Sequence, residues 1–374
     1  MSEDKEVKVL NLLGKGGAGG IESLCFDYAR HSRLNNKFLV LWKPGVVSDE
    51  MARIGIDVEV YNTSPLNYMR DLIKFIKKCK RERIGIVVCH FGTPLIAMIV
   101  CILRIIEPKI RIVGYAHSNL EDWSWKRLYF GKIVYRHSDK IVCISNSVLN
   151  SIEENIGFGN KLLRIYNGVD IENFNCDAYE KQESKKIRLI YVGRLEKVKG
   201  VQNILMGLAE IIDKILFNFT IVGDGTYREE LENKSKELGL SEKVTFLGTR
   251  RDIPQLLKSS DVFVHLPEWK EGFGITVIEA MAMGLICIVN DRGALPEIIN
   301  DGVNGFVVGK STGRDFAKTL SYIYSQSILN YKSSELNHMR EQAVERAKDF
   351  NIEKYVDQMD NLLLELSELP TAKN

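Results

Sequence analysis

Residues 267–284, Pro-Glu-Trp-Lys-Glu-Gly-Phe-Gly-Ile-Thr-Val-Ile-Glu-Ala-Met-Ala-Met-Gly, join a buried strand to a helix. Asp261-Val-Phe-Val-His-Leu266 is a short apolar run of interior-strand type, and 275–283 is apolar and free of proline, as suits a helix packed on a sheet. Glu271-Gly-Phe-Gly274 lies between them. Glycines let backbone N–H groups approach a ligand, and those at a helix start have no intrahelical partner, so the turn suits phosphate. Glu271 precedes the helix and Glu279 lies inside it. A carboxylate accepts two hydroxyl hydrogen bonds, so a pair flanking a phosphate-binding turn can hold a sugar on one side and a ribose on the other. Taken alone, the spacing fits equally an acidic loop before an ordinary helix.

Around this stretch, strands and helices alternate. Val7-Lys-Val-Leu-Asn-Leu-Leu13 reads as a first parallel strand, followed by Gly14-Lys-Gly-Gly-Ala-Gly-Gly20 and a helix over 21–31. Gly14, Gly16 and Gly19 spell the dinucleotide fingerprint, which also wants a carboxylate after the next strand. That strand, 37–42, ends in Lys43-Pro44-Gly45, which argues against a nicotinamide site. Strands follow at 57–61, 84–89, 110–115 and 140–144, helices at 68–80 and 94–106, and Ser145 reads as a helix cap. His90 and His117 each stand just past a strand; such a histidine fits a structural hydrogen bond as well as a ligand. Asn167-Gly168-Val169-Asp170 makes a turn, and the polar run 173–186 reads as a linker. Residues 186–192 restart the pattern, but the turn Gly193-Arg194-Leu-Glu-Lys-Val-Lys199-Gly200 carries cations that are either solvated or suited to a diphosphate. Strands at 219–222, before Gly223, at 243–248, before Thr249-Arg250-Arg251, at 286–290 and at 305–308 complete a second doubly wound half, with a last helix over 352–366.

The 374 residues suffice for two cores, and 45% hydrophobic with 27% charged residues is a globular composition. Residues 1–170 hold 25 Lys and Arg against 18 Asp and Glu, the remainder 26 against 31, so the first half is the basic one. Residues 68–83 place Met69, Leu72, Phe75, Ile76 and Cys79 at helical spacing among lysines, and 123–130 combine tryptophans and Tyr129 with Lys126-Arg127. Both fit a helix on an anionic membrane surface, or a core helix with a polar outer face. The run 94–106 is too short to span a bilayer. Met1-Ser-Glu-Asp-Lys-Glu6 shows no secretory pattern, so a cytoplasmic location, peripheral on the membrane face, is expected. The seven scattered cysteines have no C-x-x-C pair and read as reduced core residues. Nothing points to nucleic acid.

The E-x7-E of Glu271 and Glu279, Gly293-Ala-Leu-Pro-Glu297, the G-R-x4-K-G of residues 193–200 and the N-G-V-D turn together resemble the retaining glycosyltransferases of family 4, over about residues 7–366. The resemblance implies an α/β GT-B fold: two facing Rossmann-like doubly wound domains with the active site in the cleft and a C-terminal helix crossing back to the first. The domains would be 1–172 plus 352–374, binding acceptor, and 187–351, binding the nucleotide sugar, joined by the linker 173–186. It implies transfer of a hexosyl or N-acetylhexosaminyl group from a nucleotide-diphosphate sugar, UDP preferred, to a hydroxyl with retention. In that reading Arg194 and Lys199 neutralise the diphosphate, Glu271 positions the sugar, Glu279 holds the ribose and His117 meets the sugar near the reacting carbon. Gly16, Gly17 and Gly223 approach the donor, Arg250 neighbours the base, and Gly272, Phe273, Gly274 and Thr276 form the donor turn. His90, Ser118 and Asn119 are acceptor-cleft candidates. No D-x-D occurs, so no metal or other cofactor is expected. The implied acceptor is a lipid-linked glycan of capsule, exopolysaccharide or O-antigen assembly. A nucleotide-sugar epimerase and a catalytically silent partner subunit share the fold and stand as alternatives.

Overall fold

The computed structural model describes residues 7–17, 19–121, 123–174, 186–309, 312–329 and 334–369. Most of the linker read at 173–186, with Cys176, lies outside them. The chain divides into two compact units, 1–168 with 352–374, and 169–351. Residues 169–172, grouped above with the first domain, fall in the second unit, because the Val169 N–H donates to Phe350 O at 2.8 Å.

The first unit is built on seven parallel strands: β1 (Lys8–Lys15), β2 (Asn35–Lys43), β3 (Asp57–Val60), β4 (Ile86–Cys89), β5 (Arg111–Ala116), β6 (Lys140–Cys143) and β7 (Leu162–Arg164). Their order is β3-β2-β1-β4-β5-β6-β7, so the winding reverses between β1 and β4. Strands covered by helices on both faces are apolar throughout, as β4 is, with all four residues buried. Ser145 caps the helix Asn146–Asn155, its hydroxyl accepting from the Val148 N–H at 3.1 Å. The helix Ile352–Glu368 belongs to this unit. Asp360, buried in it, accepts from Tyr28 Oη at 2.6 Å, Ser32 Oγ at 2.7 Å and the Arg33 N–H at 2.9 Å. Three donors compensate a carboxylate that would otherwise be costly to bury.

The second unit repeats the plan with β8 (Ile187–Val192), β9 (Phe217–Val222), β10 (Val244–Gly248), β11 (Val262–His265), β12 (Ile286–Asn290) and β13 (Phe306–Val308). The order β10-β9-β8-β11-β12-β13 puts its reversal between β8 and β11. In open parallel sheets a ligand site forms beyond the carboxyl ends of the strands flanking that point.

The two segments read as membrane-facing are core helices in part. In Tyr68–Glu82, Leu72, Phe75 and Cys79 are buried and Lys78 is tied to Glu59 and Glu82, while Met69 and Ile73 are exposed. Trp123 is buried, donating its indole N–H to Ser118 Oγ at 2.8 Å, whereas Trp125 and Tyr129 stand out in solvent. Among the described residues no helix is long and apolar enough to cross a membrane. Cys25, Cys79, Cys89, Cys101, Cys143 and Cys287 are free thiols.

Candidate functional site

The reversal point of the second sheet brings together the two motifs that the sequence separates by 72 positions. After β8 the chain turns through Lys197–Lys199; after β11 it runs to Glu271, and Lys199 Nζ lies 2.8 Å from Glu271 Oε2. The same oxygen accepts from His265 Nε2 at 3.1 Å and Trp269 Nε1 at 3.2 Å, and Lys199 Nζ sits 4.5 Å over the Trp269 ring. Burial works to raise the Glu271 pKa, but the His265 hydrogen bond and the Lys199 charge outweigh it and hold the carboxyl well below the usual carboxylate range.

Glycines make the close approaches possible. Gly200, in the left-handed region at φ +73°, would place a Cβ 1.8 Å from Leu266 O, and Gly293, at φ +66°, one 2.1 Å from Glu271 O. The Ala294 N–H donates to Glu271 O at 2.8 Å, so the downstream segment Gly293–Glu297 supports the backbone of Glu271. The Glu268 N–H donates to Val198 O at 2.9 Å, and Gln202 Nε2 bridges Lys197 O and Glu268 Oε1, tying the two loops to each other.

At the first sheet's reversal, β4 lies beside β5 with Cys89 opposite Gly114, which carries His90 and His117 to one end. His90 Nδ1 and His117 Nε2 are 3.0 Å apart, and the His117 ring stacks on Tyr115 at 4.4 Å. Asn11 Nδ2 donates to Asn36 Oδ1 at 3.1 Å, leaving Asn11 Oδ1 facing His90 Nε2 at 3.5 Å. In that order His90 donates to Asn11 and accepts from His117, whose Nδ1 is left as an acceptor. Burial pushes the His90 pKa down to about 3; burial, His90 and the Arg127 charge hold His117 well below the usual range, so both imidazoles are neutral.

The remaining sequence candidates divide between ligand-facing and structural positions. Gly16 is committed: its N–H donates to Lys43 O, its carbonyl accepts from Val47 and Ser48, and a Cβ would strike Ser48 Oγ at 2.2 Å. A Cβ on Gly17 meets nothing within 4 Å, so this is the glycine facing open space. Gly223, at φ +132°, donates to Gly248 O and lies against Gly193, which makes it a support of the turns. Phe273 packs edge-on against Phe350 at 5.6 Å, so its ring is core. Gly272 is buried; Gly274, at φ +109°, caps the helix Ile275–Ala282, in which Thr276 and Glu279 are half-buried. The Arg250 guanidinium is taken by Asp252 in a two-pronged pair, 2.6 and 2.8 Å. Asn119 is fully buried and accepts from Ser147 Oγ at 3.0 Å, so its side chain has no surface to offer an acceptor; Ser118 accepts from Trp123. Arg194 is exposed, with no side-chain hydrogen bond or ion pair to the described residues.

Residues 18–173 match the family model described as Glycosyltransferase Family 4, and 177–349 match that of Glycosyl transferases group 1. N-acetyl-alpha-D-glucosaminyl L-malate synthase of Bacillus anthracis is 30% identical over 306 residues, 77% of each chain. This chain belongs to glycosyltransferase family 4. The transferase is also 28% identical to the UDP-Gal:alpha-D-GlcNAc-diphosphoundecaprenol alpha-1,3-galactosyltransferase of Escherichia coli, over 82% of this chain and 81% of that one. Its fold is GT-B, shared with Anabaena HepE, solved in complex with UDP and glucose, at a TM-score of 0.82, 23% identity, and coverage of 97% and 100%.

The charged end of this transferase thus holds an exposed Arg194 with no side-chain partner among the described residues, a paired Lys199 and a carboxylate kept ionised, chemistry that suits a polyhydroxylated, anionic ligand. Sequence reasoning missed His265, Trp269 and Asn11 as members of these clusters. The signal for His265 was a histidine inside an apolar strand, where burial demands a partner.

Proposed function

We propose that this transferase moves a hexosyl or N-acetylhexosaminyl group from a UDP sugar to a hydroxyl of a lipid-linked glycan acceptor, with retention and without a metal ion. The observation that carries the reading is the Lys199–Glu271 pair at the reversal point of the second sheet. Arg194 and Lys199 take the charge that builds on the diphosphate as the bond from it to the anomeric carbon breaks, with the helix N-terminus after Gly274 adding oriented N–H groups. The new bond forms from the acceptor oxygen to the same carbon, and its proton passes to a phosphate oxygen. Glu271 holds sugar hydroxyls, Glu279 the ribose, and His117 serves the sugar near the reacting carbon. UDP is supported by the UDP found in the HepE structure and by the donor for which the E. coli relative is named; that relative's diphosphoundecaprenol acceptor supports the lipid-linked substrate. Exposed Met69, Ile73, Trp125 and Tyr129 on the basic unit fit contact with an anionic membrane. A second reading, transfer to a small hydroxy acid, is favoured by the B. anthracis relative.

Thermal stabilisation by nucleotides tests the donor first. UDP and one UDP sugar should raise the melting temperature by mass action as much in EDTA as in magnesium. A shift with GDP alone would replace the base, and a shift only with magnesium would remove the metal-free reading. Transfer to an undecaprenyl-diphosphate sugar but not to L-malate would separate the two acceptors.

A further inference from the structure

We propose that His265 is a positioning residue for transfer: with Trp269 it holds Oε2 of Glu271 when Lys199 is drawn to a diphosphate, leaving Oε1 to meet the sugar. This rests on the role given to Glu271 above. Three donors from three places, the end of β11, the loop after it and the turn after β8, converge on one oxygen. Oε1 has no hydrogen-bond partner among the described residues and is not among the buried unpaired atoms, so it faces solvent. The three donors differ in what else they can do. Lys199 is a mobile point charge with a second anion to serve once the donor binds. His265 is anchored, buried at the end of β11 with its ring stacked 6.1 Å from Tyr191.

With Nε2–H given to Glu271, His265 Nδ1 is buried and unpaired. A buried ring nitrogen without a partner is costly, and an apolar residue would fill this strand position without that cost. The hydrogen bond to Glu271 is what the histidine supplies in exchange. The other titratable groups facing Glu271 are Lys199 from the turn and Tyr191 from β8, whose phenol is pushed up by burial and by the Glu271 charge and stays neutral.

The test compares calorimetric affinities for UDP and for UDP-glucose and UDP-N-acetylglucosamine across variants. In His265→Phe the bound sugar nucleotide should weaken roughly ten- to a hundredfold while UDP changes less than about twofold, because a hydrogen bond to a charged group is lost only from the sugar-holding carboxylate. His265→Gln, which can return a donor near Nε2, should recover most of the loss, and Trp269→Phe, which removes only the indole N–H, should weaken sugar binding to a lesser degree. The acid limb of sugar-nucleotide binding should move to higher pH in His265→Phe, since a carboxylate with fewer donors protonates sooner. If Glu271→Ala weakens sugar binding but His265→Phe and Trp269→Phe do not, or if His265→Phe weakens UDP equally, the positioning role is wrong. If Glu271→Ala itself leaves sugar binding unchanged, the underlying role of Glu271 fails instead.

Discussion

The two sheets share a topology and end in opposite chemistry. At the reversal point of the first, neutral rings are joined nitrogen to nitrogen, His117 to His90, with Asn11 beyond; at that of the second, a cation and an anion meet at 2.8 Å under an indole. Neutral groups can be buried with few partners, whereas a buried carboxylate needs several, and Glu271 has three on one oxygen. One end is therefore suited to orienting a ligand by hydrogen bonds and the other to carrying developing charge.

If the charged end carries the reaction, Glu271→Ala and Lys199→Ala should each lower turnover by about a thousandfold or more, while His117→Ala costs about ten- to a hundredfold. Transfer rates with circular dichroism as the fold control measure this; equal losses at both ends would erase the distinction. Next in size are the glycines that let the charged loops touch. Gly200→Ala and Gly293→Ala force a Cβ onto a carbonyl at positive φ and should cost about 2 kcal/mol or more each, read as a lowered denaturant midpoint.

Acid should undo the two ends in turn. His90 and His117 have depressed native pKa values, so their contribution is present above the unfolded value of about 6.5 and declines as pH falls below it, as the unfolded chain takes up protons first. Glu271 is also depressed, but its reference is a carboxylate, so its contribution persists to about pH 4 and is lost only below. The stability gap between wild type and His90→Gln should therefore narrow from about pH 6.5 downward, and that for Glu271→Gln only under about pH 4. Urea titrations across pH would show it; coincident windows would mean that the ends are not chemically distinct. The smallest effect belongs to Arg250→Ala, whose exposed pair with Asp252 is screened by solvent. It should leave the melting temperature unchanged, and an accompanying loss of UDP affinity would show that the side chain, and not the backbone, meets the base.

Most strands were legible because parallel strands buried on both faces are unbroken apolar runs, as at 84–89 and 286–290. β7 was not: it has three residues, two of them exposed, and its place is set by pairing with β6. Residue types at the site were legible where a turn demanded them, at Gly200 and Glu271. Partnerships were not. His90 and His117 stood as separate candidates because only the pairing of β4 with β5 joins them, and Lys199 and Glu271 were assigned to different ligand groups although each is the other's partner. Gly16 and Phe273 carried the expected motif yet turned out to serve the scaffold, since a motif does not say which of its atoms are already hydrogen-bonded.

The helix Ile352–Glu368 has a consequence for the order in which the protein is made. Domains emerging from the ribosome generally fold in the order of synthesis. Here the second unit is complete once Asn351 has been added, whereas the first still lacks the helix whose Asp360 receives Tyr28, Ser32 and Arg33 and whose Tyr355 receives the Tyr115 hydroxyl. The strands translated earlier must therefore wait for this later helix, with the Tyr28 and Tyr115 hydroxyls uncapped in the interval, and a chain truncated after residue 351 should protect residues 169–351 from protease better than residues 1–168.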